Sequence, residues 1–140
     1  MVNILRFLTP KSDVAYVDID DTARQGFEKM HYHHHSDIPV LDADGHYVGT
    51  LSESDIFSVM MRENRFEPEY LENFRVRSIM KKPYDTPVSN RAPIRVLLER
   101  VKEQKFVAVT DDRDVFIGIV TRKDVINYFI NKYLPCEEQE

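Results

Sequence analysis

One segment of the chain occurs twice, and this repetition constrains the fold more than any other feature. Residues Ile38–Met60 and Val107–Phe129 align without a gap at an offset of 69 residues. The alignment places Gly49 on Gly118, and it also keeps a hydroxyl residue and a carboxylate residue in register. Such a match at one fixed offset indicates a duplicated supersecondary unit. We therefore expect two similar halves that share one architecture.

Each copy has the residue pattern of strand, helix, strand, strand and helix. Apolar runs bounded by polar turns predict the strands, and the Asp44-Gly45 pair favours a tight turn between two of them. Apolar residues at helical spacing predict the helices. The predicted strands are Val14–Ile19, Ile38–Leu41, Tyr47–Leu51, Tyr84–Val88, Phe106–Val109 and Val115–Val120, and the predicted helices are Thr22–His34, Asp55–Arg62, Ala92–Gln104 and Asp124–Leu134.

A hydroxyl residue stands three positions before a carboxylate at the start of each last helix. The pairs are Ser52 with Asp55 and Thr121 with Asp124. This spacing is typical of a capping box, in which the two side chains only satisfy the free N–H groups of the helix. The same helix end also attracts anions. The pattern alone leaves both interpretations open.

Composition and charge exclude several classes of function. The 140 residues carry a net charge of −5, which opposes nucleic-acid binding. No apolar run approaches the roughly 20 residues of a membrane span. The single cysteine, Cys136, lies in the tail and indicates a reducing compartment, so we expect a cytoplasmic protein. None of the common catalytic motifs is present, and we predict no enzymatic activity.

Four histidines follow one another closely near the end of the first predicted helix. His31 and His35 have the i, i+4 spacing that permits chelation, but Asp37 is the only acidic candidate for a further ligand. A closed zinc site needs more ligands than these. A polar helix end is the favoured interpretation, with a metal-binding protein as an alternative and no metal site predicted. The group consists of His31, His33, His34 and His35.

Two segments carry a resemblance to a known family: Gly49-Thr-Leu-Ser52-Glu-Ser-Asp55 and Gly118-Ile-Val-Thr121-Arg-Lys-Asp124. Each half resembles a cystathionine-β-synthase (CBS) domain, and the pair resembles a Bateman module of the kind found in small stand-alone bacterial proteins, some of which bind cyclic di-AMP. The resemblance implies an α+β fold of two β-α-β-β-α repeats packed through their sheets with pseudo-two-fold symmetry. The boundaries are 1–64 for repeat 1, 65–78 for a connector, 79–135 for repeat 2 and 136–140 for a tail.

The connector has apolar and aromatic residues at helical spacing, namely Phe66, Tyr70 and Phe74. This spacing predicts a linker helix packed on the module, or equally a surface that docks a partner.

The resemblance also implies two nucleotide clefts between the repeats, each built from both halves. The ligand that the resemblance implies is an adenine nucleotide (AMP, ADP, ATP or cyclic di-AMP), and no other cofactor is expected. The first cleft combines Thr121, Arg122 and Asp124 with Ala15, Ser36, Asp37 and Ile38. The second, weaker cleft combines Ser52 and Asp55 with the Tyr84–Thr86 stretch (including Thr86), Lys105 and Phe106.

The residues between hydroxyl and carboxylate distinguish the two clefts. Arginine can hold a phosphate through a bidentate fork, so Arg122 favours a phosphorylated ligand. Glu53 would repel phosphate, and we expect the second cleft to be empty or to take only a nucleoside. Asp37 departs from the cyclic-dinucleotide relatives, which tend to have a small residue there.

These inferences predict a nucleotide sensor that signals to a target protein whose identity the sequence does not reveal. The last helix of each copy is apolar on more than one side, which favours a homodimer. A ligand-free dimerisation or scaffold module is the first alternative.

Overall fold

A computed structural model describes residues 2–80 and 86–135 of the chain. Its residues divide into two compact units. The first-repeat unit comprises Ala15–Thr86 and Asp114–Phe116, and the second-repeat unit comprises Met1–Val14, Pro87–Arg113 and Ile117–Glu140. The residues that precede the first predicted strand of repeat 1 therefore belong to the second-repeat unit.

Twelve helices and strands, together with short 3-10 turns, make up the described residues. In chain order they are β1 (Thr9–Pro10), β2 (Val17–Asp18), α1 (Ala23–His33), β3 (Asp37–Leu41), β4 (Tyr47–Ser52), α2 (Glu53–Glu63), α3 (Val76–Ile79), β5 (Val88–Ser89), α4 (Ile94–Val101), β6 (Phe106–Thr110), β7 (Phe116–Thr121) and α5 (Arg122–Tyr133); 3-10 turns cover Ile4–Phe7, Lys11–Asp13 and Pro68–Asn73. No helix in these residues is long and apolar enough to span a membrane.

The first-repeat unit is built on a sheet of β2, β3 and β4. β2 runs parallel to β3, and β3 runs antiparallel to β4 with Asp37 opposite Ser52. Apolar side chains of the sheet, of α1 and α2 and of the connector form one core. Its buried members are Val17, Ala23, Met30, Ile38, Val40, Leu51, Ile56, Val59, Leu71 and Val76.

Local hydrogen bonds explain where α1 begins and ends. The Thr22 hydroxyl accepts the Gln25 N–H, and the Gln25 side chain accepts the Thr22 N–H, so two free helix donors are satisfied. The helix stops at His34, which adopts a left-handed conformation with φ of 57°. α2 ends in the same way at Asn64.

The second-repeat unit has a sheet in the order β1, β7, β6, β5. β1 pairs antiparallel with β7, so the N-terminal segment supplies an edge strand to this sheet. The preceding turn buries Ile4 and Phe7, and the Phe7 ring packs edge-on against Tyr128 of α5 at 5.0 Å. The core consists of Ile4, Phe7, Val88, Leu97, Val101, Val107, Val109, Val120 and Val125.

The structure confirms the mixed α and β architecture of both repeats, with changes at several element ends. α2 begins at Glu53 and α5 at Arg122, two residues before the predicted starts, because the hydroxyl residue itself is the N-cap. α4 begins at Ile94 because Pro93 is its N-cap. Residues 84 and 85 of the predicted strand Tyr84–Val88 lie outside the described residues, as does the tail cysteine Cys136.

The connector is not one helix. It contains the 3-10 turn Pro68–Asn73, an extended Phe74 and the short α3. Leu71 and Val76 are fully buried in the core of the first-repeat unit, so this segment packs on the repeat that precedes it.

Candidate functional site

The two hydroxyl-to-carboxylate motifs occupy equivalent places, one in each unit. Ser52 is the last residue of β4 and the N-cap of α2, while Thr121 is the last residue of β7 and the N-cap of α5. Each hydroxyl accepts a hydrogen bond from the backbone N–H three residues later, at 3.1 Å in both cases. Both motifs therefore begin a helix, where an anion is also favoured.

The two carboxylates differ in what they contact. Oδ2 of Asp55 accepts the backbone N–H of Ser52 at 3.0 Å, which completes a capping box, and the residue is only 3% exposed. Asp124 makes no such return bond and is exposed. Its carboxylate has no hydrogen-bond partner among residues 2–80 and 86–135. The Asp124 carboxylate is thus exposed to a ligand, whereas Asp55 is buried, with Oδ2 bonded to the cap and Oδ1 without a hydrogen-bond partner in the described residues.

A basic cavity of about 360 Å³ lies next to Thr121 in the second-repeat unit. Its cationic side chains are those of Lys105, Arg122 and Lys123. Nε of Arg122 donates to the carbonyl of Val101 at 2.7 Å, which fixes the guanidinium, and the Arg122 N–H donates to the Lys105 carbonyl at 2.9 Å. Ile126 and Asn127 complete the lining. The site therefore combines a helix N-terminus with three positive charges.

The corresponding region of the first-repeat unit is acidic. Glu53 replaces Arg122, and its N–H donates to the carbonyl of Ser36 at 2.9 Å. The Ser36 hydroxyl donates to Oδ2 of Asp37 at 2.9 Å. Asp37, Glu53 and Asp55 therefore lie near one helix start, an arrangement that disfavours phosphate.

A second cavity of about 530 Å³ lies in the first-repeat unit, and sequence reasoning did not identify it. It is lined mainly by apolar side chains of α1 and α2. These residues are Phe27, Met30, His31, Glu53, Ser54, Ile56, Phe57 and Met60. The sequence feature that could have indicated this cavity is the presence of apolar residues on more than one side of α2.

Within each unit, the structure brings some predicted site residues together. Lys105 and the start of β6 at Phe106 lie beside Thr121 and Arg122, and Ser36 and Asp37 lie beside Ser52. The assignment of Ser36 and Asp37 to the Thr121 cleft, and of Lys105 and Phe106 to the Ser52 cleft, stays a prediction.

Three further predicted residues differ in how much surface they offer. Ile38 is 1% exposed and belongs to the core of the first-repeat unit. Ala15 is half-buried against that core, and Thr86 is exposed. The rest of the Tyr84–Thr86 stretch lies outside the described residues.

The histidine group at the end of α1 shows ring stacking rather than convergent ligands. The His31 ring stacks on Phe27, and the His33 ring stacks on His35, each with centroids 6.0 Å apart. Among the described residues, the potential ligand atoms of Asp42, Asp44 and His46, in the turn after β3, instead lie within 4.8 Å of one another.

Asp42 already has a structural role in that turn. Oδ1 accepts the N–H groups of Asp44 and His46, both at 2.9 Å. These hydrogen bonds, of which the one from the backbone N–H of His46 has the largest effect, hold the pKa of Asp42 below its usual value. The carboxylate therefore stabilises the turn between β3 and β4 in its charged form.

The fold and the repeated motif define a pair of CBS domains. The family described as "CBS domain" matches residues 6–62 and 76–131, and the chain belongs to it. No curated protein matches the sequence.

Solved structures with the same fold are tandem proteins of similar length. A hypothetical conserved protein from Geobacillus kaustophilus is 24% identical over 94% of this chain and 98% of its own, with a TM-score of 0.85. CbpB from Listeria monocytogenes in complex with c-di-AMP is 24% identical over 94% and 96%, with a TM-score of 0.80. CBSX2 in complex with AMP is 21% identical over 94% and 98%, with a TM-score of 0.73.

Proposed function

We propose that this CBS pair is a regulatory module that senses an adenine nucleotide and binds it at the start of α5. The observation that carries the proposal is the exposed carboxylate of Asp124, which has no protein partner in the described residues, beside Thr121 and three cationic side chains. The complexes of CbpB with c-di-AMP and of CBSX2 with AMP support this class of ligand.

Each part of a nucleotide has a suitable partner at this site. A carboxylate accepts hydrogen bonds from both hydroxyls of a ribose, which is the role of Asp124. The phosphate lies near the helix N-terminus and the fixed guanidinium of Arg122, where the helix dipole and a charge-assisted hydrogen bond both favour an anion. Lys105 adds a further positive charge.

The equivalent position in the first repeat serves mainly as a helix cap. Asp55 is buried and bonded to the Ser52 backbone, and Glu53 adds a negative charge where Arg122 stands in the other repeat. We infer that Ser52 and Asp55 bind phosphorylated nucleotides weakly or not at all.

A sensor of this kind acts by changing the conformation that a target protein recognises. A ligand shifts such an equilibrium only by its difference in affinity for the two states. We propose a homodimeric regulatory protein of the cytoplasm that acts on a separate target and carries out no catalysis.

Calorimetry tests the proposal directly. The purified protein is titrated with AMP, ADP, ATP and cyclic di-AMP, and we expect saturable binding of at least one. Asp124→Ala should weaken that binding about 10- to 100-fold, because hydrogen bonds to charged groups contribute roughly 1.5–3 kcal/mol. Asp112→Ala is the matched control, since Asp112 is an exposed carboxylate in the turn before β7. The absence of heat with every ligand would favour a ligand-free scaffold instead.

A further inference from the structure

The cavity of about 530 Å³ between α1 and α2 plays no part in the proposed nucleotide site. Its lining residues belong to the first-repeat unit, whereas Thr121 and Asp124 belong to the second-repeat unit. The volume falls within the range of about 300–1,000 Å³ that small-molecule sites occupy in proteins. The cavity is therefore large enough to hold a small ligand of its own.

Most of the cavity wall is apolar or aromatic. Met30 and Ile56 are 2% and 4% exposed, so the cavity reaches the buried core of the unit. Phe27 is half-buried, and its ring stacks on the His31 ring with the two planes only 11° apart. Phe57, on α2, is mostly exposed. Aromatic rings and a thioether together suit the apolar body of a small ligand.

The cavity carries one negative charge, at the start of α2. Of the lining residues, Glu53 alone is acidic, and its carboxylate makes no ion pair or hydrogen bond within residues 2–80 and 86–135. Its backbone N–H donates to the carbonyl of Ser36 at 2.9 Å, which fixes the residue in place. A carboxylate beside an apolar wall attracts a cation, and the faces of aromatic rings favour the same charge.

The second repeat shows what links its own two helices at the corresponding position. Arg122 is the counterpart of Glu53, and its Nε donates to the carbonyl of Val101, the last residue of α4, at 2.7 Å. Met30, which lines the cavity, lies in the last turn of α1. A guanidinium of the protein therefore joins the two helices in the second repeat, whereas the first repeat has a cavity with a carboxylate.

We propose that the cavity between α1 and α2 binds a small organic cation, namely an amine or a guanidine on an apolar body. The apolar body contacts Phe27, Phe57 and Met60, and the cationic group pairs with the carboxylate of Glu53. Charge complementarity selects this ligand, because the second repeat has a cation of its own where the first repeat has Glu53. The proposal adds a second class of ligand and does not depend on nucleotide binding at the start of α5.

Calorimetry with two probes of nearly the same shape tests the role of charge. The purified full chain is titrated with phenethylamine and with phenethyl alcohol at about pH 8, above the range in which imidazole groups usually titrate. We expect saturable binding of the amine, about fivefold tighter than that of the alcohol, which is the effect of a strong exposed ion pair. Equal affinities would overturn the proposal, as would no binding of the amine because a second copy or a target protein covers the cavity.

Substitutions at Glu53 test whether this carboxylate is the partner of the amine. Glu53→Gln keeps the size of the side chain, and it should remove the preference for the amine while the affinity for the alcohol stays unchanged. Glu53→Arg copies the residue of the second repeat and should abolish binding of the amine. Glu69→Gln, at an exposed carboxylate of the connector, is the matched control and should retain the preference. A preference that survives in Glu53→Gln would refute the proposed pairing.

NMR of labelled methionine methyl groups locates the ligand independently of the variants at Glu53. The methyl resonances of Met30 and Met60 should shift on addition of phenethylamine, because the phenyl ring lies against them. Phe57→Ala removes an exposed part of the wall and should weaken binding of both probes. Unchanged Met30 and Met60 resonances at saturating amine would place the ligand elsewhere and overturn the proposal. Such a result would leave the nucleotide proposal intact, because that proposal uses none of these residues.

Discussion

The glycine of the second motif, Gly118, is required by a contact far away in sequence. Its φ is +155°, a value that side chains rarely adopt, and β1 pairs directly against it. A Cβ at this position would overlap the carbonyl oxygen of Thr9 and would lie 3.1 Å from Cα of Pro10. The absence of a side chain therefore allows the N-terminal strand to join the sheet.

Gly118→Ala should destabilise the second-repeat unit and detach β1 from β7. The backbone strain alone costs about 1–3 kcal/mol, and relief of the overlap requires the N-terminal strand to move. The measurement is the free energy of unfolding in urea, together with amide exchange in β7, where protection should fall.

The control for this variant is Gly45→Ala. Gly45 has a φ of +85°, but a Cβ there would lie 3.6 Å from Val115, which is ordinary van der Waals contact. Gly45→Ala therefore measures the cost of backbone strain at a positive φ, without a steric overlap between the new Cβ and a neighbouring atom. Equal losses of stability in the two variants would contradict the role assigned to β1. Sequence reasoning identified Gly118 as part of the motif, but it could not supply this reason, because Thr9 and Pro10 have no pairing signal of their own.

At the scale of elements, α2 and α5 begin with the same cap and differ in the partner of one carboxylate. The Ser52 and Thr121 hydroxyls make equivalent bonds of 3.1 Å. Only Asp55 returns a bond to its cap residue, and Asp124 does not. We interpret this difference as a division of roles, with a cap in the first repeat and a cap that also binds ligand in the second.

Ser52→Ala and Thr121→Ala separate these roles. Each should cost about 1 kcal/mol of stability, the usual effect of removing a hydroxyl N-cap. Only Thr121→Ala should also weaken nucleotide binding, by about tenfold, because the proposed ligand site is at that helix end. Denaturation and calorimetry on both variants give the comparison. A similar loss of affinity in Ser52→Ala would mean that the first repeat binds nucleotide as well.

Elements within the duplicated unit were predictable from sequence, whereas the connector was not. The spacing of Phe66, Tyr70 and Phe74 predicted a helix, but Phe74 is extended with a φ of −123°. Its carbonyl accepts the N–H of Ala23, and the N–H of Val76 donates to the carbonyl of Asp21, both at 2.8 Å. These tertiary hydrogen bonds hold the segment open, and no local pattern encodes them.

At the scale of the whole molecule, each unit completes its core with the segment that precedes the first strand of the other repeat. Ile4 and Phe7 come before the first strand of the first repeat and are buried in the second-repeat unit. Leu71 and Val76 come before the first strand of the second repeat and are buried in the first-repeat unit. The duplicated pattern could not predict this exchange, because periodicity identifies which residues are buried and not which copy buries them.

The exchange predicts reciprocal effects of two core substitutions. Phe7→Ala should cost about 3–5 kcal/mol and Leu71→Ala about 2–5 kcal/mol, since each leaves a cavity in a packed core. In hydrogen exchange, Phe7→Ala should reduce protection mainly in β6 and β7, and Leu71→Ala mainly in β3 and β4, each far along the chain from the substituted residue. The same loss of protection in all four strands for both variants would show that the two cores unfold only together. Loss in β3 and β4 after Phe7→Ala would contradict the placement of the N-terminal segment. Because each substitution lies outside the strands it is expected to affect, the two exchange patterns together test which core each segment completes.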